Sequence, residues 1–300
     1  MKTNYNFESK FKLANLLSLL LTVLSFLFII FKGLNFGIDF KGGTLIELRI
    51  KSENIQISDV RDSFSNMDLG DLNVKEFGKK GDYLIKFEKK TFNQKDSIKK
   101  IKETVKNQLG TEVNFRRVEN VGPKVSQELL ESGILAISLA LAAMLFYIWV
   151  RFEWQFSLGS ILAIFHDVLI TIGIFSLLSL EINLSIVAAV LTIVGYSMND
   201  TVVIYDRIRE NLNKFSSKHI SEISNISIND TLSRTLITSV TTLLALLSIF
   251  ILGGEILRGF AFAMIVGVLI GTYSSIFVAS PLLKYLNVSF KTIDKEKEDS

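Results

Sequence analysis

Residues Leu184–Tyr205 read LSIVAAVLTIVGYSMNDTVVIY and contain one charged side chain, Asp200. A helix needs about 20 apolar residues to cross the hydrocarbon core of a bilayer, and this run has that length. Five further runs share this composition, namely Leu13–Phe31, Gly133–Val150, Phe156–Leu178, Thr235–Leu252 and Gly259–Leu283. The sequence therefore predicts a multi-pass α-helical membrane protein with six transmembrane helices.

The segment between the first two apolar runs, residues 33–132, mixes polar and apolar residues and is suited to water. Alternating apolar residues indicate strands, and apolar residues three to four positions apart indicate helices. Strands are predicted at 44–50, 74–77, 83–87 and 113–118, and helices at 58–64 and 96–109. The order β-α-β-β-α-β predicts a small α+β domain of the ferredoxin-like kind.

Lysine and arginine concentrate at alternate ends of the predicted helices, which gives the orientation by the positive-inside rule. The basic residues predicted on the cytoplasmic side are Lys2, Lys10, Lys12, Arg151, Arg207, Arg209, Lys214, Lys218, Lys284, Lys291, Lys295 and Lys297. The predicted organisation is a cytoplasmic N-terminus at 1–12, a first helix at 13–32, a periplasmic domain at 33–132, helices two to six at 133–286 with a cytoplasmic loop at 206–234, and a cytoplasmic tail at 287–300. A cleaved signal peptide is the alternative for the first run, but the residues after Phe31 form a poor cleavage site.

The composition excludes several functional classes. The chain has no cysteine and two histidines, His166 and His219, so we expect neither a disulfide nor a metal site rich in Cys or His. The sequence contains no phosphate-binding loop and no dinucleotide fingerprint. The formal net charge of +3 is too small to favour nucleic acid as a partner. Any energy input must therefore come from a partner protein or an ion gradient.

His166 and Asp167 lie near the middle of the third apolar run, where ionisable side chains are costly. Asp167 shares a helical face with Ser160 and Thr171, whereas His166 points about 100° away, so the two need not act together. Two interpretations stay open. The pair hydrogen-bonds to a neighbouring helix for packing, or it takes part in proton relay or gating.

Asp200 lies about 9 Å deeper in the membrane than Asp206, at 1.5 Å per helical residue. Tyr196 and Asn199 share its helical face, and Arg234 enters the next predicted helix from the same side of the bilayer. An extended arginine there would reach the carboxyl. Burial and the guanidinium act in opposite directions on the protonation of the carboxyl, so their geometry would couple proton occupancy to conformation. A purely structural ion pair is the alternative.

Arg234 shares a helical face with Thr238 and Thr241. This polar stripe favours an interior-facing arginine, and snorkelling of the side chain to the lipid headgroups is the alternative. The segment Gly267–Gly271 is a GxxxG pattern in the last predicted helix and permits close helix packing. The segment Gly37–Thr44 places glycines where a tight turn enters a strand.

The ordered motifs along almost the whole chain resemble the SecD/SecF family of protein-export membrane proteins, within the resistance-nodulation-division superfamily. The single compact domain and the Asn-Asp-Thr motif are similar to members of the SecF type rather than the SecD type, whose domain is larger. The residues that carry the resemblance include Gly37, Asp39, Gly42, Gly43, Thr44, Gly122, Pro123, His166, Asp167, Tyr196, Asn199, Asp200, Asp206, Arg207 and Arg234.

The resemblance implies a partnership and a mechanism. SecF-type members pair with SecD in a twelve-helix unit of the bacterial inner membrane, associated with the SecYEG channel and YajC. This unit uses the proton-motive force to promote late stages of export of an unfolded preprotein, so protons would be the coupling ion and no cofactor is expected. The family's proton-linked Asp and Arg correspond to Asp200 and Arg234, and we include Tyr196, Asn199, His166 and Asp167 in the same candidate site. The Gly37–Thr44 loop and its domain would help to capture or move the emerging chain.

Three other functions stay open on the sequence alone. The first is a half-size transporter of a small molecule or lipid. Such transporters usually carry two six-helix halves, and this chain has one. An intramembrane hydrolase would use Asp167 and Asp200 as paired carboxylates, but Arg234 offers the second a neutralising partner. A passive assembly scaffold would tolerate neutral replacement of every intramembrane charge. The sequence favours the export subunit, without enzymatic activity.

Overall fold

A computed structural model of the chain describes residues 5–51, 55–65, 67, 69–76, 79–87, 94–290 and 292. The side chains of 94–98, 100, 255 and 256 are not part of this description. Lys2, Lys291, Lys295 and Lys297, used above for orientation, lie outside the described residues. The chain divides into two compact units, Met1–Asn35 with Leu135–Ser300, and Phe36–Ile134. We call them the membrane unit and the α+β unit.

The structure is mostly helical. Its helices are a 3-10 turn at Glu8–Lys10, α1 (Phe11–Lys32), α2 (Ile38–Lys41), α3 (Ile57–Ser65), α4 (Gln94–Leu109), α5 (Pro123–Arg151), α6 (Trp154–Leu177), α7 (Leu184–Lys214), α8 (Ile220–Leu252), α9 (Gly254–Ser274), a π-helix at Ser275–Ala279 and α10 (Ser280–Tyr285). Its strands are β1 (Asn35–Phe36), β2 (Gly43–Ile50), β3 (Leu72–Glu76), β4 (Asp82–Phe87), β5 (Val113–Val121) and β6 (Glu181–Ile182).

Six helical stretches among the described residues are long and apolar enough to cross a membrane, which confirms the six predicted spans. They comprise α1, α5, α6, α7, α8 and the continuous stretch from α9 to α10. Each predicted run forms the apolar part of a longer helix. Helix α5, for example, begins at Pro123, where a proline at the first helical position costs no hydrogen bond.

The segment 206–234, predicted as a loop, is helical apart from a short turn at 215–219. Helix α7 continues to Lys214 and α8 begins at Ile220. The prediction of a loop was wrong because it followed from hydropathy, and the segment is too polar for the bilayer. The segment nevertheless has an apolar stripe at helical spacing. Ile208 and Leu212 of α7 pack with Ile223 of α8 in the core of the membrane unit.

Helices α6, α7 and the last span form the interior of the membrane unit, because about half of each apolar window is buried there. Small residues bring α1 close to α6. A Cβ atom on Gly173 would come within 2.3 Å of Ser25, so the two helices touch at this point. Helices α1, α5 and α8 expose many of their large apolar side chains, as expected of surfaces that face lipid or another membrane protein.

The last span is interrupted by the π-helix at Ser275–Ala279. Such a segment holds one extra residue per turn and is often found at functional sites. The hydroxyl of Ser280 donates to the carbonyl oxygen of Ser275 at 2.8 Å, which satisfies a backbone acceptor that the irregular turn leaves available.

In the α+β unit, four strands form an antiparallel sheet in the order β3-β4-β2-β5. With α3 and α4 the chain order is β-α-β-β-α-β, the split arrangement expected from the sequence. Alternate residues of β2 point into one core, where Ile46 and Leu48 are fully buried. Predicted strand residue Phe77 lies outside the described residues.

The sheet is entered through two glycines with positive φ. Gly42 has φ +77° and Gly43 has φ +129°, values that residues with a side chain rarely adopt. A Cβ atom on Gly42 would lie 3.3 Å from the carbonyl oxygen of Val121 and 3.4 Å from Ser126 Oγ. The glycine loop therefore packs tightly on the end of β5 and the first turn of α5.

Candidate functional site in the membrane unit

Asp200 lies in the polar segment 197–201 of α7 and is 3% exposed. The helix starts at Leu184 because Asn183 caps it, its side chain accepting a hydrogen bond from the backbone N–H of Ile186 at 3.2 Å. Among the described residues the Oδ2 atom of Asp200 has no hydrogen-bond partner. A buried carboxyl oxygen left unpaired is costly, so Asp200 stays the candidate that the sequence analysis singled out.

Arg234 is exposed on α8 and does not form an ion pair with Asp200 within 4 Å among the described residues. The two side chains are therefore not in contact in this structure, and their coupling stays a prediction.

The predicted interior-facing stripe behind Arg234 is wrong for Thr241, which is exposed. The hydroxyls of Thr238 and Thr241 donate to carbonyl oxygens of their own helix, those of Arg234 at 3.1 Å and Ile237 at 2.8 Å. Because these hydroxyls are hydrogen-bonded within their own helix, the threonines do not require a polar interior. Their spacing therefore did not predict which way this face of α8 points.

Tyr196 and Asn199 lie in the same part of α7, the first half-buried and the second exposed. The hydroxyl of Tyr196 reaches Thr242 Oγ1 of α8 at 3.5 Å, the outer limit of a hydrogen bond. Asn199 is exposed and borders an open groove of about 360 Å³ between α5 and α7, with Met144 and Tyr147 on its other wall. The polar residues around Asp200 therefore open towards the outer surface of the unit at α5 and α8.

A second carboxylate, Asp167 of α6, is fully buried, accepts two hydrogen bonds and lies within hydrogen-bond distance of a third group. Its Oδ2 atom accepts from Ser197 Oγ of α7 at 2.5 Å and from Ser274 Oγ of α9 at 2.7 Å. Its Oδ1 atom lies 2.8 Å from His166 Nδ1, so the two side chains are in contact despite their angular separation on the helix. The side-chain torsions bring them together, which a helical-wheel argument does not take into account.

The histidine end of this cluster continues towards α1. The rings of His166 and Tyr273 stack with centroids 6.4 Å apart, and Ser18 donates to the Tyr273 hydroxyl at 3.0 Å. The Tyr273 hydroxyl in turn donates to the carbonyl oxygen of Ala14 at 2.8 Å. The Nε2 atom of His166 has no hydrogen-bond partner among the described residues. Sequence reasoning missed Ser197, Ser274 and Tyr273, because isolated serines and tyrosines in apolar helices carry no periodic signal.

The glycines of the last span let α9 lie directly against α7. A Cβ atom on Gly267 would come within 2.3 Å of the Ile193 side chain, and one on Gly271 within 3.0 Å of Ser197 Cβ. The predicted GxxxG pattern thus faces the segment of α7 that leads to Asp200. Close backbone approach places Ser197 between Gly271 and Asp167.

The charged ends of the spans are tied by ion pairs. Arg151 at the end of α5 contacts Asp206 at 2.8 Å, and Arg207 contacts Asp230 of α8 at 2.8 Å. Arg209 lies 3.0 Å from the buried carboxylate of Glu153. These pairs join α5, α6, α7 and α8 at one end of the membrane unit.

In the α+β unit the motif residues surround the start of the sheet. Gly37 precedes the short helix α2, which contains Asp39, and Gly122 precedes Pro123 at the start of α5. The side-chain oxygen of Thr44 is buried without a hydrogen-bond partner among the described residues. These residues shape the loop, and the structure does not assign them a ligand.

No cluster of three or more His, Cys, Asp or Glu side chains that could hold a metal ion occurs among the described residues. The expectation that the protein has no cofactor stays a prediction.

Two family profiles match the chain. One is described as "Protein export membrane protein SecD/SecF, C-terminal" and covers residues 100–289. The other is described as "SecD/SecF GG Motif" and covers residues 27–53, which include the glycine loop at the start of the sheet.

Relatives and solved structures agree with these profiles. The protein translocase subunit SecF of Rickettsia bellii (strain OSU 85-389) is 44% identical over 94% of this chain and 93% of its own length. The subunit of the same name from Cereibacter sphaeroides is 44% identical over 85% of this chain and 81% of its own. SecDF from Thermus thermophilus, described as a translocon-associated membrane protein, superposes with a TM-score of 0.85 at 36% identity, covering 95% of this chain and 39% of that one.

The fold and the site define a multi-pass helical membrane protein with carboxylates buried at membrane depth in two adjoining spans, a feature of proteins that move ions or substrates. One α+β unit between the first and second spans narrows the class further. The chain belongs to the SecD/SecF family of protein-export membrane proteins.

Proposed function

We propose that this chain is the SecF-type subunit of a protein-export complex and that, with SecD, it uses the proton-motive force to promote late stages of preprotein translocation. The identity to subunits named protein translocase subunit SecF supports the transport role. The observation that carries the proton-coupling part is Asp200, buried in a central span, whose Oδ2 atom has no hydrogen-bond partner among the described residues.

A buried carboxyl and a guanidinium that can approach and separate suit a proton-driven mechanism. When Arg234 approaches Asp200 the charged carboxylate is favoured, and when the pair separates the burial of the carboxyl favours its protonated form. Conformation and proton occupancy would therefore be linked. Moving one charge through a membrane potential yields about 2.3 kcal/mol per 100 mV, so a few protons would shift a two-state equilibrium appreciably.

The chain spans 39% of the length of the SecDF chain that it matches, so it would supply one of two six-helix halves. The outer surfaces of α5 and α8 and the groove beside Asn199 support a second membrane subunit on that side. We propose SecD as that partner, and the SecYEG channel and YajC as associated components. The preprotein would be handled by the α+β unit.

We further propose that the complex lies in the bacterial inner membrane with both termini in the cytoplasm and the α+β unit in the periplasm. Because the chain has no cysteine, single cysteines report topology directly. A membrane-impermeant maleimide should label Ser65→Cys of the α+β unit in cells with a permeable outer membrane. It should label Ser217→Cys, in the turn between α7 and α8, only after the inner membrane is opened. The reverse pattern would refute the orientation.

The mechanism is tested by Asp200→Asn in cells that lack their own subunit. We expect normal insertion into the membrane, normal recovery of the complex with SecD, and slow release of preprotein driven by a proton gradient. The matched control is Glu222→Gln, which removes a carboxylate on α8 that is exposed and pairs with Lys218. Export at the wild-type rate in the Asp200→Asn cells, with an unchanged response to collapse of the proton gradient, would refute proton coupling at this residue.

A further inference from the structure

The shared hydrogen bonds of Asp167 suggest a role that differs from proton transfer. One carboxylate oxygen accepts from two serines on two other helices, Ser197 of α7 and Ser274 of α9. The carboxylate and both serines are at most 1% exposed. Since each serine hydroxyl donates to Asp167, an acceptor oxygen in this position satisfies both of them.

The bond from Ser197 matters for Asp200 because both residues lie on the same helix, α7. Ser197 lies three residues before Asp200, about 4.5 Å along the axis, and both are on the buried face of the helix. On its other side Ser197 is held by Gly271, where a Cβ atom would approach to 3.0 Å. The rotation and depth of α7 at this level are therefore set by contacts from both α6 and α9.

Ser274 is the last residue before the π-helix, which adds a second constraint. The Ser274 hydroxyl lies 3.1 Å from the carbonyl oxygen of Gly271 as well as bonding Asp167. At the far end of the π-helix, Ala279 accepts a hydrogen bond from Tyr205 of α7 at 2.9 Å. Helix α7 is therefore attached to both ends of the π-helix. Ser197 is linked to Ser274 through Asp167, and Tyr205 bonds directly to Ala279. Asp200 lies between these two attachments on α7.

We propose that Asp167 is a positioning residue, which acts as a hydrogen-bond acceptor for Ser197 and Ser274 and so fixes the face of α7 that carries Asp200. His166 supports the carboxylate from its other oxygen at 2.8 Å. The inference rests on the proposed function of Asp200. The position of α7 relative to α9, however, can be measured without an export assay.

A disulfide between α7 and α9 measures that geometry. In the cysteine-free chain, Ile193→Cys with Gly267→Cys places two thiols where a Cβ atom now meets the Ile193 side chain at 2.3 Å, and the shorter cysteine relieves that contact. We expect rapid cross-linking in the wild-type background and in Asp167→Asn, because asparagine keeps an oxygen that accepts both serine hydroxyls. Asp167→Ala should slow cross-linking by about tenfold.

Export is measured in the same variants without the added cysteines. Asp167→Asn should keep export within about twofold of wild type, and Asp167→Ala should reduce it about tenfold. The control is Thr171→Val, one turn away on α6, whose buried hydroxyl donates to the backbone oxygen of Asp167 in its own helix. The control should leave both cross-linking and export unchanged.

Two results would overturn the inference. Equal losses in Asp167→Asn and Asp167→Ala would assign the function to the charge, as in a proton carrier, and wild-type behaviour of Asp167→Ala would remove any role. If Asp167→Ala fails to accumulate, Ser197→Ala and Ser274→Ala each remove one donor, and unchanged cross-linking in both would overturn the inference as well. Failure of proton coupling is recognised separately, because Asp200→Asn would then export normally while the cross-linking results still stand.

Discussion

The hydroxyl of Tyr205 donates a hydrogen bond to the carbonyl oxygen of Ala279, 2.9 Å away, at the last residue of the π-helix. The tyrosine is fully buried, and its ring packs edge-to-face on Phe156 with centroids 5.1 Å apart. Gly159 leaves the space that the hydroxyl occupies, since a Cβ atom there would approach it to 2.3 Å. Three spans thus meet at a single backbone carbonyl of the irregular turn.

Replacing the tyrosine by phenylalanine removes this bond and keeps the ring. We expect Tyr205→Phe to leave the fold intact but to speed amide hydrogen exchange in 275–285 about tenfold, because a buried carbonyl then lacks its partner. Hydrogen-exchange mass spectrometry of the detergent-solubilised chain measures this. Tyr285→Phe, which alters an exposed hydroxyl in the same segment, serves as the control. Equal exchange in wild type and Tyr205→Phe would contradict the expectation.

Gly267 should not tolerate even a methyl group. Gly267→Ala would push a Cβ atom against Ile193 and should destabilise the chain by about 2 kcal/mol, the usual cost of overpacking. Thermal unfolding in detergent, followed by circular dichroism, measures the loss.

The matched control for this prediction is Gly259→Ala on the same helix. Its Cβ atom would lie 3.6 Å from Ile186, an ordinary contact, and alanine favours a helix over glycine by about 1 kcal/mol. We therefore expect opposite signs for the two variants. A loss of stability of the same size at both positions would show that the close contact is not the cause.

Two asparagines of α8 hold the segment that precedes the first span. Asn229 Oδ1 accepts from the backbone N–H of Tyr5 and Asn225 Oδ1 from that of Phe7, each at 2.8 Å. Asn225→Ala should therefore free the Phe7 amide and speed its hydrogen exchange. Asn213→Ala is the control, because its amide donates to the backbone of Arg209 within α7. Unchanged exchange at Phe7 would mean that its amide is protected by something else.

In the α+β unit, Arg49 binds Asp82 with two hydrogen bonds of 2.5 Å across β2 and β4. The hydrogen bonds from Arg49 hold the pKa of the Asp82 carboxyl below its usual range, while burial acts in the opposite direction and the charge of Arg116 adds to the lowering. A folded-state pKa below the unfolded one gives stability that is complete above the ordinary value of about 4 and is lost as the pH falls through the folded value.

We accordingly expect the amides of β2 and β4 to lose protection below about pH 4, after correction for the intrinsic pH dependence of exchange. Asp82→Asn should exchange about tenfold faster at neutral pH and should lack this additional acid-induced loss. Glu119→Gln removes a more exposed carboxylate of the same sheet, paired with Arg117 at 2.7 Å, and should change little. A full acid response in Asp82→Asn would assign the effect to another group.

The spans and the α+β unit could be predicted from the sequence because they depend on local composition and periodicity. A bilayer demands about 20 apolar residues in succession, and Leu184–Tyr205 or Gly259–Leu283 meet that demand whatever their neighbours are. Alternation in β2 and the helical period in α4 likewise reflect local geometry. By contrast, the helical stretch 206–234 escaped prediction because its polar composition hid the apolar stripe that packs Ile223 into the core.

The candidate site was only partly accessible. Asp167 and Asp200 stand out in the sequence because charge is costly in a membrane, and the prediction that they matter needed no coordinates. Their partners could not be read in the same way. The approach of Ser197 and Ser274 to Asp167 depends on three helices meeting. That Asp200 is buried while Arg234 is exposed likewise depends on how the helices pack.

The sequence by itself determined six membrane spans, one α+β unit and the identity of the buried charges, because these follow from local composition and from the energetic demands of a bilayer. Only the tertiary structure decided which charges are satisfied. It pairs Asp167 with groups from three helices and bonds the π-helix to Tyr205. In the part of the chain that the structure describes, it leaves one oxygen of Asp200 without a partner. The physical reason is that hydrogen bonds act over about 3 Å, so they depend on how distant segments pack rather than on any one of them.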